Sequence, residues 1–310
     1  MLRRDYLQLD VFTDRPFGGS RLTLFPDGEG LSPALMQALA REMGWGETAF
    51  VLPSRQRKQN WSALRIFTPK GEIPFAGHSV LGAACALDHL GRLAKTGSQT
   101  LTEWELEAGY FPVLLREENG RTLYSLVHNP PVFLGQYFHR DKVARALGLP
   151  EQEIAITGLP CEVISTGLPI HIVPIGSLAA VRRAALRPDE ANGIARDLGF
   201  GDLFVFTCET EGEDADVHCR MFAPHFGIPE DPASGSGAGA LAAYLVKHKL
   251  VPMQPHVRLV GEQGVEMGRP SRLIIEAEVE NGQATLIQVG GHCVIIGQGS
   301  VTLPGDPFAL

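Results

Sequence analysis

The sequence lacks the features that mark several large classes of protein. Its five cysteines form no C-x-x-C pair and have no histidine at a metal-ligand spacing, so no metal site is indicated and reduced thiols are expected. No apolar run approaches the roughly 20 residues that cross a bilayer, and the start, MLRRDYLQLDVF, has no apolar signal-peptide core. These absences predict a cytoplasmic protein that binds no metal.

Positive charge is also scarce. The chain has 27 Lys and Arg against 35 Asp and Glu, a formal net charge of −8 at pH 7. Nucleic acids and anionic membranes are bound through a basic face, so we expect neither as a partner. A small anionic metabolite is compatible with this charge, because local residues decide its binding. The 35 glycines and 22 prolines predict many turns and strands.

The feature that is present is a repeat. Residues 72–87 read EIPFAGHSVLGAACAL and residues 227–245 read GIPEDPASGSGAGALAAYL, each a proline turn followed by small residues and an Ala-rich segment. Matching residues between 31 and 74 recur between 186 and 229 at an offset of 155, which becomes 158 after the insertion Glu-Asp-Pro. The constant offset indicates a duplicated α/β unit, and two unrelated α/β domains are the alternative.

The helix predicted in each stretch is apolar all round, so it must be covered by sheet on every face. We therefore predict an α+β protein of two pseudo-symmetric domains, each a curled, mostly antiparallel, barrel-like sheet around a central helix. The first domain is predicted at 1–128, with 291–310 as a candidate for its completion, and the second at 129–290. The local patterns also predict a helix at 31–43 capped by Ser32, a loop at 68–78, a helix at 80–90 and strands at 7–13, 22–25, 64–67, 101–115, 122–127, 285–289 and 293–297.

The two helix entrances are candidates for anion binding. In both, a loop of small residues leads directly into the helix, where free N–H groups and the positive end of the helix dipole favour a carboxylate or phosphate. This makes Gly77, Gly235 and Gly237 candidates for substrate binding. The alternative is that the glycines only allow close packing between the halves.

Glu47 is the acid that we expect to carry a proton. It lies in an apolar frame, with Trp45 before it and Ala49-Phe50-Val51 after it, which suits a carboxyl group that both takes and returns a proton. The equivalent residue of the repeat, Asp202, shows that the position accepts an acid. An exposed acid at a helix-to-strand turn is the alternative.

Three further polar residues are candidate catalytic groups. Asp231 lies in the insertion that only the second half has, although Asp-Pro is also ordinary turn chemistry. His78 stands at the first helix entrance and is able to donate to a substrate oxygen or shuttle a proton, or it is a structural histidine. Ser236 takes the equivalent place in the second half, where a plain N-cap is the alternative.

Two familiar motifs are not supported by their spacing. Ser236 lacks the glycine two residues before it that the G-x-S-x-G elbow of α/β-hydrolases requires. Gly235-x-Gly237-x-x-Ala240 fits a loose dinucleotide pattern, but it follows Asp-Pro-Ala-Ser and not a predicted strand. We therefore expect no nicotinamide cofactor.

Five motifs follow one another along the chain: DVFTDRPFGG, GETAF with Glu47, LRIFTPKGEIPFAGH with His78, EDPASGSGAGALAAYL, and EQGVEMGRPS. In this order they resemble the phenazine biosynthesis PhzF-like family of isomerases, and the resemblance extends over nearly the whole chain. The FAGH and DPASGS motifs are the most specific.

The resemblance implies a diaminopimelate-epimerase-like fold with the site in the cleft between two similar domains, usually in a homodimer. It also implies isomerisation without a cofactor, with a glutamate at the place of Glu47 moving a proton between carbons of a cyclic, carboxylate-bearing substrate. His78, Asp231 and Ser236 match the assisting polar residues of the family. The distant epimerases use one cysteine per loop, and His78 and Ser236 stand at those places here, which argues against a two-thiol racemase.

The chain departs from the family pattern at two places. Ser20-Arg21 stands where members commonly have Asn-Pro, and Ser79 stands where the FAGH motif usually continues with Pro. Both places are expected to lie near the substrate, so Ser20 and Ser79 are added as substrate-binding candidates and the identity of the substrate stays open. The competing hypotheses are a non-catalytic small-molecule binding protein on the same scaffold and a dinucleotide-dependent enzyme.

Overall fold

The computed structural model describes residues 2–44, 46–226 and 228–303. Some residues that the sequence-based predictions include lie outside the described residues, namely Trp45, Gly227 and residues 304–310. The helices are α1 (Pro33–Met43), α2 (Gly77–His89), α3 (Arg140–Leu147), α4 (Gln152–Ala155), α5 (Leu178–Arg183), α6 (Pro188–Leu198) and α7 (Gly235–Lys247). The strands are β1 (Leu2–Val11), β2 (Ser20–Phe25), β3 (Glu47–Pro53), β4 (Trp61–Phe67), β5 (Glu72–Ile73), β6 (Gln99–Leu106), β7 (Gly109–Glu118), β8 (Arg121–Val127), β9 (Val132–Tyr137), β10 (Cys161–Ser165), β11 (Pro169–Pro174), β12 (Leu203–Thr207), β13 (Val217–Ala223), β14 (Ile228–Asp231), β15 (His256–Gln263), β16 (Ser271–Glu280), β17 (Gln283–Gly291) and β18 (Cys293–Leu303).

The chain forms two compact units, one from the described residues of Met1–Val127 and Gly290–Leu310, the other from His128–Val289. In the first unit the paired strands follow the order β18-β1-β2-β3-β4-β6-β7-β8, with β5 on the far end of β4. The β2–β3 and β4–β6 pairs are parallel and the others antiparallel. The last described strand thus pairs with the first one.

The second unit repeats this plan. Its paired strands follow the order β9-β10-β11-β12-β13-β15-β16, with β14 on β13, and its parallel pairs are β11–β12 and β13–β15. The central helices α2 and α7 each have 13 residues. The strands that follow them, β6 and β15, each have 8 residues. The predicted fold class of two pseudo-symmetric, mostly antiparallel sheets, each with a central helix, is confirmed.

Each central helix is enclosed by its own sheet. Helix α2 packs against β18, β1 and β2 at one end of the strand order and against β7 and β8 at the other, so the sheet curls around it. Its residues from Ser79 to Leu87 are all buried, as the lack of charge in this segment predicts. At Gly82 a Cβ atom would lie 2.5 Å from Leu22 Cδ2, so only glycine allows this close approach of helix to sheet. Helix α7 packs in the same way against β10, β11 and β16.

The outer faces of the sheets are covered by the remaining helices. In the first unit α1 buries Leu35, Met36 and Leu39 against three phenylalanines of β2, β3 and β4. Phe25 and Phe50 are stacked, and Phe67 meets Phe50 edge to face. Burial of each such side chain stabilises the fold by about 1.5–3 kcal/mol. Ser32 caps α1, as predicted, by accepting a hydrogen bond from the N–H of Leu35 at 3.2 Å. In the second unit a larger cluster of buried apolar side chains lies under α3, α5 and α6.

An arginine–glutamate pair braces the hairpin before each central helix. Arg65 on β4 holds Glu72 on β5 through two hydrogen bonds of 2.7 and 2.6 Å, and Arg220 on β13 holds Glu230 on β14 through two of 2.8 Å. The two arginines are equivalent in the repeat, whereas Glu230 lies in the insertion that only the second half has. Such two-bond pairs fix direction as well as distance, so each hairpin delivers its helix entrance in a defined orientation.

A buried histidine joins two acidic side chains in the second unit. His218 on β13 is fully buried, with Nδ1 2.8 Å from Glu262 Oε1 and Nε2 2.9 Å from Glu266 Oε1. Glu262 also accepts hydrogen bonds from the N–H groups of Glu211 and Gly212. Burial works against the charge on His218, but the hydrogen bonds to Glu266 and Glu262 outweigh it and raise the pKa of the ring. The imidazolium therefore ties β13 to the end of β15.

A second buried histidine has no such partners. His171 on β11 is fully buried beside Tyr137, and neither ring nitrogen has a hydrogen-bond partner among the described residues. Burial lowers its pKa to about 3, so the ring is neutral near pH 7. Unpartnered buried polar atoms are costly.

We predict that His171→Leu stabilises the protein. Removal of the unpartnered nitrogens should raise the free energy of unfolding by about 1–3 kcal/mol at pH 7. A lowered histidine pKa means that the unfolded chain takes up more protons below pH 6.5, so this gain should grow as the pH falls from 7 to 5. Urea unfolding at pH 7 and at pH 5 measures the difference in unfolding free energy between wild type and His171→Leu. His256→Leu, at an exposed site, is the control. A loss of stability would show that the ring is satisfied by a bound water.

The differences from the sequence-based prediction are local. The loop predicted at 68–78 contains the short strand β5 and ends at Ala76, because Gly77 and His78 already form the first residues of α2. The strand predicted at 101–115 is two strands joined at 107–108. All five cysteines lie in the described part of the chain and are free thiols. Among the described helices, none has the length and apolar character needed to cross a bilayer.

Candidate active site

Glu47 is the first residue of β3, and the local backbone explains its position. Helix α1 ends at Gly44, whose left-handed conformation lets its N–H bond to Ala40 O. Gly46 also has a positive φ of 45°, so the chain turns sharply before the strand begins. Parallel pairing with β2 then places Glu47 opposite Leu22, with only 9% of its surface exposed. The carboxylate is therefore buried and is not the exposed turn acid of the alternative interpretation.

Two polar side chains from the start of α2 converge on this carboxylate. Ser79 Oγ donates a hydrogen bond of 2.5 Å to Glu47 Oε2, and His78 Nε2 lies 3.1 Å from the same oxygen. Ser79 is fully buried, and the side chain of His78 is 14% exposed. The structure thus brings together Glu47, His78 and Ser79, three of the predicted site residues.

The N-terminus of α2 adds a favourable field to this cluster. Its N-cap residue, Ala76, makes no side-chain capping hydrogen bond. The N–H groups of the first turn carry the positive end of the helix dipole, which attracts negative charge. Gly77, predicted to bind substrate, is the first residue of this turn and is half-buried. The Glu47 carboxylate therefore lies at a helix end suited to an anion.

Ser20 and Arg21, the departure from the family pattern, begin β2. Because β2 and β3 are parallel, this start lies at the same end of the sheet as the start of β3, and a Cβ at Gly46 would be 3.6 Å from Arg21 O. Ser20 is buried and Arg21 is exposed. Both therefore lie close to the backbone that carries Glu47.

The other predicted residues lie in the second unit, around the start of α7. Asp231 ends β14, and its Oδ1 accepts a hydrogen bond of 3.2 Å from Ala233 N, the turn chemistry considered above. The N-cap of α7 is Ser234, whose Oγ accepts from Gly237 N at 3.1 Å. The plain N-cap interpretation of Ser236 is thus wrong. Within the part of the chain that the structure describes, the Ser236 hydroxyl has no hydrogen-bond partner.

The two glycines at this entrance differ in what surrounds them. At Gly237 a Cβ atom would lie 2.2 Å from the ring of Phe204, and the N–H is already bound by Ser234. Close packing inside the unit therefore accounts for this glycine. Gly235 is the first residue of α7 and is buried.

Gln263 is a residue of this region that the sequence analysis missed. It is fully buried at the end of β15, where its Nε2 donates to Asp231 O at 2.7 Å and its Oε1 accepts from Ser234 N at 3.2 Å. It therefore fixes both ends of the turn that joins Asp231 to α7. In the sequence, Gln263 could have been noticed because it lies in the motif EQGVEMGRPS. That motif alone does not assign a role to Gln263.

Asp202, the repeat equivalent of Glu47, is used differently. Its Oδ1 accepts a hydrogen bond of 2.9 Å from the backbone N–H of His225, and burial raises its pKa. It closes a turn within the second unit. Of the two equivalent acids, Glu47 is the one whose carboxylate accepts a hydrogen bond from a buried hydroxyl group.

The Glu47 cluster is equipped for proton transfer. A buried carboxylate with one oxygen held by a hydroxyl group and beside an imidazole is a base whose position is defined. Among the described residues, no group of three or more His, Cys, Asp or Glu side chains is arranged to hold a metal ion.

Comparisons with known proteins identify the family of the chain. The family model described as phenazine biosynthesis-like protein matches residues 9–299. Trans-2,3-dihydro-3-hydroxyanthranilate isomerase of Pseudomonas chlororaphis is 35% identical over 96% of this chain and 99% of its own. A crystal structure of the Bacillus anthracis phenazine biosynthesis protein of the PhzF family has a TM-score of 0.87 at 26% identity, over 98% of this chain and 100% of that one.

A more distant structure extends the fold comparison. A hydroxyproline epimerase from Agrobacterium vitis has a TM-score of 0.61 over 99% of this chain and 96% of that one, at 15% identity, which is a similarity of fold alone. The predicted resemblance to PhzF-like proteins and the predicted epimerase-like fold are both confirmed.

Proposed function

The chain belongs to the phenazine biosynthesis-like protein family and is an isomerase, and from this premise we propose that it moves a proton between carbons of a small, cyclic, carboxylate-bearing metabolite. In this proposal Glu47 removes a proton from one carbon, the electron pair stays on the substrate as its double bond shifts, and the proton returns to another carbon. No atom is gained or lost, and no cofactor takes part.

The observation that carries this proposal is the environment of the Glu47 carboxylate. It is 9% exposed, its Oε2 accepts a hydrogen bond from Ser79, and His78 Nε2 lies beside the same oxygen. A general base has to be near the proton that it abstracts and shielded from competing solvent. A single carboxylate that takes and returns the proton suits a proton shift better than inversion of a stereocentre, which needs groups on both faces of the carbon.

The remaining predicted residues have assisting roles in this proposal. His78 is placed to donate to a substrate oxygen, and the N–H groups at the start of α2 favour a substrate carboxylate. The Ser236 hydroxyl and the Asp231 carboxylate, on the turn held by Gln263, are proposed to bind polar groups of the substrate. The substrate named for the Pseudomonas chlororaphis relative is a cyclic carboxylate, which makes it the first compound to test.

We predict that the protein incorporates solvent deuterium into its substrate at carbon. The protein is incubated in D2O with trans-2,3-dihydro-3-hydroxyanthranilate and with unsaturated cyclic carboxylates of similar size, and each compound is analysed by proton NMR and mass spectrometry. Isomerisation with uptake of one deuteron at a carbon atom is the expected result. Saturable binding without exchange would favour a non-catalytic binding protein. Neither binding nor exchange with any of these compounds would contradict the proposed substrate class.

A further inference from the structure

The two oxygens of the Glu47 carboxylate have different surroundings. Oε2 accepts the 2.5 Å hydrogen bond from Ser79 and lies 3.1 Å from His78 Nε2. Within the described residues, no group hydrogen-bonds Oε1. The side chain keeps 12% of its surface exposed. One oxygen is therefore held by the protein, and the other is left for a bound molecule.

The Ser79 bond is of the strong kind. A hydroxyl that donates to a carboxylate at 2.5–2.7 Å is charge-assisted and about twice as strong as a neutral hydrogen bond. Ser79 is fully buried, so its hydroxyl has no water to turn to and needs this acceptor. Its position as the third residue of α2 holds the hydroxyl fixed relative to the helix.

We propose that Ser79 is a positioning residue, not a substrate contact, which fixes Glu47 through Oε2 so that Oε1 exchanges the proton with the substrate carbon. This inference rests on the proposed function, because it assigns an atom within that reaction. Ser79 acts by setting the direction of the carboxylate, so that Oε1 keeps one orientation relative to the start of α2.

The test compares Ser79→Ala with wild type in the deuterium exchange reaction. Loss of the hydrogen bond should lower kcat, and with it kcat/KM, about 10- to 100-fold with little change in KM, because the lost interaction positions the base and does not bind substrate.

Ser32→Ala is the matched control. Ser32 is also a serine at a helix start of the first unit, and its Oγ accepts from Leu35 N at 3.2 Å. This variant should lose a few degrees of melting temperature and keep the wild-type kcat and KM. Ser79→Cys preserves the shape with a weaker donor, and it should lower kcat by a smaller factor than Ser79→Ala. Kinetic measurements on Ser79→Cys test the role of Ser79 if Ser79→Ala does not fold.

Three results would overturn the inference. Ser79→Ala or Ser79→Cys with lower melting temperature but wild-type kcat and KM would make Ser79 purely structural, while the exchange by wild type would leave the proposed function standing. A crystal structure with bound product whose reacting carbon lies against Oε2 would overturn the assignment of Oε1. Absence of exchange in the wild-type protein would overturn the proposed function and this inference together.

Discussion

Glu47→Gln should give a folded protein that binds its substrate but no longer exchanges the carbon-bound hydrogen with solvent. Glutamine has the shape of glutamate, and its amide oxygen is able to accept the hydrogen bond from Ser79. Its amide group is not able to take a proton from carbon near neutral pH. Loss of a positioned general base typically costs about 10²- to 10⁴-fold in rate, so we expect kcat to fall within or beyond that range.

The measurement is deuterium uptake by NMR, with affinity for the same compound determined by calorimetry. Glu42→Gln is the matched control, because Glu42 is an exposed glutamate of α1 and the substitution changes charge in the same way. That variant should exchange at the wild-type rate. Wild-type exchange in Glu47→Gln would remove Glu47 as the proton carrier. Loss of binding together with exchange would instead assign the carboxylate to substrate binding.

His218→Leu should cause the largest loss of stability of any single substitution considered for this chain. The buried ring lies between Glu262, which is buried, and Glu266, which is partly buried and also lies 3.9 Å from Arg220. Removal of the ring leaves both carboxylates without the cation that separates them. Breaking a buried ion pair from one side typically costs about 3–5 kcal/mol. Arg272 and the N–H groups of Glu211 and Gly212 still bind Glu262, so Glu266 bears most of this loss.

The loss should depend on pH in a defined direction. The raised pKa of His218 means that its contribution is complete below the ordinary value of 6.5 and disappears as the pH rises through the raised value. For Glu266 burial raises the pKa, but the hydrogen bond from His218 outweighs it and lowers the pKa. Its contribution is therefore complete above 4.5 and disappears in stronger acid. The difference in unfolding free energy between wild type and variant should be largest between these values.

Urea unfolding at pH 6 and pH 9 tests this prediction. We expect the difference between wild type and His218→Leu to be smaller at pH 9. His256→Gln, at an exposed histidine on β15, should change stability by less than about 0.5 kcal/mol at either pH. An equal difference at both pH values would show that the ring is held as a neutral group and that packing accounts for its effect.

The sequence predicted the repeat, the enclosed helices and the place of Glu47 because these depend on local patterns. An apolar Ala-rich segment has to be buried wherever it lies, and the constant offset transfers that conclusion from one half to the other. Glu47 and His78 were predicted as separate candidates. Their convergence on one oxygen, with Ser79, depends on how β3 lies against the start of α2, which no spacing in the sequence reveals.

Two of the features that were missed depend on contacts between segments distant in sequence, and a third, the N-cap of α7, is local. Gln263 reaches Asp231 and Ser234 across about 30 residues, and the signal in its own neighbourhood is only a family motif. The unpartnered state of His171 follows from the strands on either side of β11, not from its own neighbours in the chain. The N-cap of α7 fell on Ser234 and not on Ser236 because the helix begins two residues earlier than the serine and glycine pattern suggested.

The pairing of β1 with β18 has a consequence for the order of events during synthesis. Residues 2–11 pair with residues 293–303, so β1 gains this neighbour only after the roughly 280 residues between the two strands have been made. In the second unit the strands from β9 to β16 pair with one another within one continuous segment, so they are able to pair before β18 is made. Until then β1 exposes an unpaired edge, which is a site for intermolecular association. Truncation near the C-terminus is therefore expected to harm the unit that is encoded first.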